Sequence, residues 1–267
     1  MMNFARKNNN LTLLMTAILL LSSFIVIRQV NKPTLYLIGD STVKNGKGKG
    51  DGGLWGWGNY IADYFDTTRI AIENDALGGT SSRTFQTKGL WDNVLLKIKP
   101  GDYVMMQFGH NDSGALDDSA RARGTIRGVG DEQKDIFNPI LKKQETVYTY
   151  GWYLRKFVSD TRAKGATPII CTLIPRDNWK DGKVNRNNVN SYGEWATEVA
   201  KQTDTFLIDL NNLIADDYDK EGQDKVKTYF GPKETVHTGL EGAQLNANFV
   251  ITGVKLLPTL TLNKYLK

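Results

Sequence analysis

The chain has 267 residues, 40% of them hydrophobic and 24% charged, which suits one globular domain with a sizeable core and excludes a largely disordered chain. Its net charge is +5, yet Arg6, Lys7 and Arg28 lie in the first thirty residues, where no acid occurs, so the remainder carries only +2. Without a clustered run of Lys and Arg there is no electrostatic case for a nucleic-acid partner.

Residues 1–30 read as a targeting segment: basic Arg6-Lys7, polar Asn8-Asn9-Asn10, then an uncharged apolar run from Leu11 to Ile27. The product is expected to be exported, to the periplasm or beyond. The run is long for a signal core and short for a membrane span, and no small-x-small cleavage site follows. A cleaved signal peptide and an uncleaved anchor through residues 11–27 both stand, and a membrane enters only through that segment. Residues 31–267 are read as a single folded domain.

In chain order, short apolar runs alternate with helical patterns. Leu35–Ile38, Ile70–Ile72, Tyr103–Met106, Ile169–Leu173 and Phe206–Ile208 read as five strands. Helices are expected near Trp57–Phe65, Leu90–Ile98, Tyr148–Lys164, Tyr192–Gln202 and about Leu240–Leu256. Strands that are apolar throughout and alternate with helices predict an α/β protein, a three-layer α/β/α sandwich with a five-stranded parallel sheet. Two polar, Gly-rich stretches, Lys44–Gly53 and Ser113 to about Lys134 with Arg121, Arg123 and Arg127, follow strand ends and are candidate cleft walls. Cys171, the single cysteine, excludes an intramolecular disulfide and reads as a buried strand residue.

Reactive groups of such sheets collect in loops beyond the carboxyl ends of the strands. After the first strand comes Gly39-Asp40-Ser41, where a tight turn would hold a hydroxyl out at the sheet edge. Taken alone, a serine there is more often a turn or a cap. After the second strand lies Gly78-Gly79-Thr80-Ser81-Ser82-Arg83, in which glycine lets a backbone N–H approach a ligand. The third strand ends in Gly109-His110-Asn111-Asp112, and an asparagine there can donate its amide N–H to a developing oxyanion, or simply form an Asx-turn. His237, one of two histidines, directly precedes Thr238-x-x-Glu241, a capping-box pattern at the start of the last helix. Glu234, three residues upstream, can orient its imidazole by accepting from Nδ1–H. Each signal is weak by itself. Together they supply a nucleophile, a base, an acid and oxyanion donors on loops that this topology brings together.

These four blocks resemble those of the SGNH hydrolases, a flavodoxin-like fold, over essentially all of the chain after the leader. Gly39-Asp40-Ser41-Thr42-Val43, Gly56-Trp57-Gly58, Gly79-Thr80-Ser81-Ser82-Arg83 and Phe108-Gly109-His110-Asn111-Asp112 look most like the rhamnogalacturonan acetylesterase branch. Pro175-Arg176-Asp177-Asn178-Trp179 resembles it further. The resemblance implies Ser41 as nucleophile, oxyanion donors from the Ser41 and Gly79 backbone and the Asn111 side chain, and His237 as base. The family's acid is an Asp three residues before the His, whereas this chain has Glu234.

The expected reaction is removal of O-acetyl groups from a pectic polysaccharide, with the acetylated polymer as the partner. Arg83, His110, Arg176 and Trp179 are candidate substrate contacts, the arginines, together with the Arg121 to Arg127 segment, facing a polyanionic backbone, and His110 alternatively a supporting hydrogen-bond partner. No His, Glu or Cys spacing suits a zinc site, and no cofactor is expected. Two rivals are a lipase or thioesterase on the same catalytic set, disfavoured by cleft loops with few large aliphatic residues, and a non-catalytic carbohydrate-binding protein, to which a complete catalytic set brings nothing.

Overall fold

The computed structural model describes residues 32–186 and 189–267, and Pro33–Lys267 make up one compact unit. The expected leader lies outside the described residues. The elements run β1 (Thr34–Gly39), β2 (Ala71–Asn74), α1 (Ser82–Thr87), α2 (Leu90–Leu95), β3 (Tyr103–Gln107), β4 (Gln133–Asn138), β5 (Lys143–Tyr148), α3 (Tyr150–Ala163), β6 (Thr167–Cys171), β7 (Trp179–Lys180), β8 (Lys183–Val184), α4 (Tyr192–Gln202), β9 (Phe206–Ile208), α5 (Leu210–Glu221), α6 (Gln223–Val226) and α7 (Leu240–Lys255).

Because successive strand residues point to opposite faces, the apolar runs feed two cores at once. Leu35, Leu37, Met105, Ile169 and Cys171 pack on one side with Ile214 of α5 and Val250 and Val254 of α7. Tyr36, Ile38, Val104, Met106 and Ile170 pack on the other with Trp91 of α2, Phe157 of α3 and Trp195 of α4. The five strands pair in parallel in the order β2-β1-β3-β6-β9, giving the expected α/β/α sandwich. The chain leaves β1 for one edge and returns to β3 on its other side, so the strand order reverses between β1 and β3. A crevice opens at the carboxyl ends of the strands at such a switch point.

Two expectations are corrected, and a hairpin and a helix that the sequence reading does not contain are added. Trp57–Phe65 is not one helix but two single 3-10 turns, Trp57–Asn59 and Ile61–Tyr64. The N–H groups of Trp57 and Gly58 donate to the carbonyls of Thr42 and Val43 instead of starting a helical ladder. The segment before α3 is a two-stranded antiparallel hairpin, β4–β5, that the sequence pattern hides. Its strands are largely polar, and only Ile136, Asn138 and Val147 are buried, too few for a period-2 signal. Helix α5 was likewise not expected from Leu210-Asn211-Asn212-Leu213, although Asp209 caps it by accepting from the Asn212 N–H. Finally, the Thr238/Glu241 capping box does not form. Gly239 caps α7, Thr238 Oγ1 donates to the Trp55 carbonyl at 3.0 Å, and Glu241 pairs with Lys225. A capping box does form at the start of α1, between Ser81 and Thr84.

Candidate active site

The end of β1 lies tight against the end of β3. A Cβ on Gly39 would stand 2.5 Å from the Gln107 carbonyl oxygen, so only glycine fits there. The following turn is tied by its own side chains: Asp40 Oδ1 accepts from the Thr42 N–H at 2.9 Å and from Thr42 Oγ1 at 2.7 Å. Thr42 Oγ1 in turn accepts from Gln107 Nε2, and Gln107 Oε1 accepts from Trp57 Nε1 at 2.9 Å. These four buried side chains fix the loop that presents Ser41 at the edge of the sheet.

Across the crevice, Ser41 Oγ lies 3.0 Å from His237 Nε2, and His237 Nδ1 lies 3.0 Å from Glu234 Oε2. The loop carrying the last two is held on several sides. Its Gly231 N–H donates to the His237 carbonyl at 3.0 Å and its Glu234 N–H to the Gly231 carbonyl at 2.9 Å. Trp55 N–H and Asp177 N–H donate to the carbonyls of Thr238 and Thr235, both at 2.9 Å.

The candidate donors are the N–H groups of Ser41 and Gly79 and the Asn111 amide. The Gly78-Gly79 turn passes close to the serine, since a Cβ on Gly78 would lie 3.5 Å from Ser41 Cβ. Gly79 has φ +79, a left-handed conformation natural to glycine. Among the described residues, neither the Ser41 nor the Gly79 N–H has a protein acceptor. Asn111 Nδ2 donates one hydrogen to the Thr80 carbonyl at 2.9 Å, which orients the amide and leaves its second hydrogen available.

Asp112 ties this side to α1. Its Oδ1 accepts from the Ser82 N–H at 3.0 Å and from Ser82 Oγ at 2.5 Å, and its Oδ2 accepts from the Gly109 N–H at 3.0 Å. Complete burial pushes its carboxyl up to about 7, against the downward pull of those donors.

The candidate substrate contacts divide. Arg83 is corrected: it is fully buried, bound to Glu145 through Nε and Nη2, and donates from Nη1 to the carbonyls of Leu116 and Gly124. A side chain so enclosed does not meet a polymer. His110 is corrected as well, being only 6% exposed, with neither ring nitrogen hydrogen-bonded among the described residues. Burial holds its imidazole below the ordinary histidine range. Its carbonyl accepts from Arg176 Nη2 at 3.3 Å. Arg176 is half-buried beside the Glu234–His237 loop, to which Asp177 is bonded. Trp179 is half-buried against the core and donates from Nε1 to Asp177 at 2.8 Å.

Sequence reasoning missed the supporting roles of Thr42, Trp57, Gln107 and Asp112. Gln107 carried a usable signal, a polar residue closing an otherwise apolar strand. Among the described residues, no group of three His, Cys, Asp or Glu side chains is arranged to hold a metal ion.

Acyl transfer asks for a hydroxyl beside a base, as Ser41 Oγ stands beside His237 Nε2, and the protein is a carboxylic-ester hydrolase. Its residues 37–245 match the GDSL-like lipase/acylhydrolase family, to which the chain belongs. It is 30% identical over 247 residues to a rhamnogalacturonan acetylesterase of Emericella nidulans, an alignment covering 90% of this chain and 94% of that one. It is also 30% identical over 228 residues to the Bacillus subtilis protein named probable rhamnogalacturonan acetylesterase YesY, covering 84% and 93%. Among solved structures, the YxiM protein of Bacillus subtilis superposes with a TM-score of 0.68 at 25% identity, covering 86% of this chain and 58% of that longer one.

Proposed function

We propose that the protein is an exported O-acetylesterase of pectic polysaccharide, with rhamnogalacturonan as its polymer, and that Ser41, His237 and Glu234 carry the reaction. The observation that carries this reading is the hydrogen-bonded series Glu234–His237–Ser41, 3.0 Å at each link, beside the free donors of Ser41, Gly79 and Asn111. Ser41 Oγ attacks the acetyl carbonyl carbon while His237 Nε2 takes its proton. Glu234 holds the other ring nitrogen and stabilises the imidazolium. The carbonyl oxygen becomes an oxyanion, which the three donors stabilise before the tetrahedral intermediate collapses. The C–O bond to the sugar breaks, and the sugar oxygen leaves with the proton from His237. Water then attacks acetyl-Ser41, giving up a proton to His237, and acetate departs as Ser41 Oγ is reprotonated.

The polymer is supported by the names of both relatives, and export by the basic and apolar leader at residues 1–30. The test is acetate release from acetylated rhamnogalacturonan, homogalacturonan, xylan and mannan. Turnover of rhamnogalacturonan at least tenfold above the others supports the reading. A preference for xylan or mannan overturns the choice of polymer.

A further inference from the structure

Beside Gly79 runs a cleft of about 360 Å³ whose walls include Gly78, Gly79, Lys88, Arg121, Arg123 and Ile140. Three of these are cations, and no carboxylate lines the cleft. None of the three takes part in an ion pair among the described residues. The carboxylates whose charge reaches Arg123 are Asp112, Asp40 and Asp118, and each bonds elsewhere: Asp112 accepts from Ser82 and the Gly109 N–H, Asp40 from Thr42, and Asp118 from the Ala120 N–H.

The loop is built to hold its two arginines there. Ala122 between them is 1% exposed and has φ +42, a left-handed conformation that disfavours a residue with a Cβ. Its N–H donates to the Asp118 carbonyl at 2.9 Å, and the neighbouring Gly124 carbonyl accepts from buried Arg83 at 2.8 Å. Arg123 is half-buried and donates from Nη1 to the Gly79 carbonyl at 3.2 Å. Burial and the charge of Arg121 hold its guanidinium below the usual arginine range. Three cations that face one cleft repel, the carboxylates near Arg123 are bonded to other groups, and an anion in the cleft would complete the group.

We infer that this cleft is a subsite for the carboxylate of a uronic acid residue adjoining the acetylated sugar, with Ile140 meeting an apolar face or methyl group of the same chain. The inference rests on the acetylesterase reading and deepens it. Arginine forks match a planar carboxylate, and Ile140, 43% exposed at the tip of the β4–β5 hairpin, supplies the apolar edge that a 6-deoxy sugar alternating with a uronic acid would need. Arg123 touches the cleft and the Gly79 carbonyl together, so a bound carboxylate also steadies the turn that carries the Gly79 N–H.

The experiment compares acetate release from acetylated rhamnogalacturonan oligosaccharides with release from the same oligosaccharides after their uronic acids are reduced to neutral sugars. For the wild type, kcat/KM is expected to be roughly tenfold higher on the acidic form at low salt and to lose that advantage at high salt. The double variant Lys88→Gln/Arg121→Gln, both exposed positions, is expected to lose the preference, mainly through a raised KM on the acidic form. An equal loss on both oligosaccharides, or an unaltered preference, overturns the subsite. A second measurement separates it from the acetylesterase reading: inhibition of p-nitrophenyl acetate hydrolysis by deacetylated acidic oligosaccharide. Should the wild type release no acetate from either form, while acidic but not reduced oligosaccharide inhibits it and the double variant escapes that inhibition, the subsite stands and the acetylesterase reading falls. Equal inhibition by acidic and reduced oligosaccharide overturns the subsite whatever the polymer.

Discussion

The guanidinium of Arg83 grips the carboxylate of Glu145 through two parallel hydrogen bonds, Nε to Oε1 at 2.7 Å and Nη2 to Oε2 at 2.8 Å. The pair joins α1, which follows the Gly79 turn, to strand β5 of the hairpin. Through Nη1 the same residue also holds the carbonyls of Leu116 and Gly124. One buried side chain thus fixes the loop that carries Arg121 and Arg123.

Breaking such a pair from one side leaves a buried charge uncompensated. Arg83→Met is therefore expected to destabilise the protein by about 3–5 kcal/mol, measured by urea unfolding. A loss below about 1 kcal/mol would show that the pair is not structural.

Ser41→Ala is expected to lower acetyl-ester turnover by roughly four to six orders of magnitude while the unfolding midpoint stays close to wild type. The Ser41 side chain contacts His237 but none of the hydrogen bonds that tie the Asp40–Thr42 turn, so its removal leaves the loop intact. Near wild-type hydrolysis would remove Ser41 from the mechanism.

Asn111→Ala is expected to cost about 10²–10³ in kcat with a smaller change in KM, because an oxyanion bond strengthens in the transition state. The Thr80 carbonyl also loses its partner, so unfolding is measured in parallel. An effect confined to KM would make Asn111 a ground-state contact.

How much of this was legible in the sequence follows from what each pattern has to encode. Strands β1, β3 and β6 announce themselves because both faces are buried, so their central positions are apolar, whereas edge strand β2 shows only a short apolar start before Glu73 and Asn74. The Ser41, Gly79, Asn111 and His237 blocks were legible because glycine and the rare imidazole stand out at strand ends. The β4–β5 hairpin was not, since one face meets solvent and the other is partly polar, down to Asn138 donating to Glu145. Arg83 was misread for the same reason: an arginine after a glycine turn looks like a ligand group until its partner, 62 residues later, is in view. Thr238 and Glu241 matched a cap by spacing, yet each had a stronger partner from a distant segment, Trp55 and Lys225.

Asp112 gives a pH dependence whose sign is fixed. Its folded carboxyl, raised to about 7, holds a proton that an unfolded aspartate releases near pH 4. Its contribution to stability is therefore fully present below about pH 4 and is lost as the pH rises toward 7. His110 acts oppositely, since a lowered imidazole contributes stability that is present above roughly pH 6.5 and is lost on acidification. Asp112→Asn is expected to be less stable throughout, because an amide NH₂ faces the Gly109 N–H or a Ser82 donor. It is also expected to lose the part of the wild-type decline that falls between pH 4 and 7. Urea midpoints at pH 5 and pH 8 test this, and an identical difference in both proteins would mean that Asp112 does not titrate in that window.

Glu234 tests how a longer acid serves in this position. Its carboxylate reaches His237 Nδ1 at 3.0 Å from a turn closed by the Glu234 N–H on the Gly231 carbonyl. That turn cannot shift inward freely: a Cβ on Gly231 would lie 2.2 Å from Leu54 Cδ2 and 3.3 Å from Glu234 Cγ, so the glycine makes room for the extra methylene. The loop is further pinned through Thr238 to Trp55 and through Thr235 to Asp177. It follows that the loop is set for glutamate. Glu234→Gln, which removes the charge but not the reach, is expected to lower kcat by roughly 10²–10⁴ with little change in KM. Glu234→Asp, which keeps the charge but falls a methylene short, is expected to lose most of the same activity instead of improving on the wild type. If Glu234→Asp retained full kcat, the loop would have to move by the missing length, and the tie from Gly231 to His237 would not be rigid. If Glu234→Gln left kcat and its pH profile unchanged, His237 would work with Ser41 as a dyad and Glu234 would have no part in the reaction.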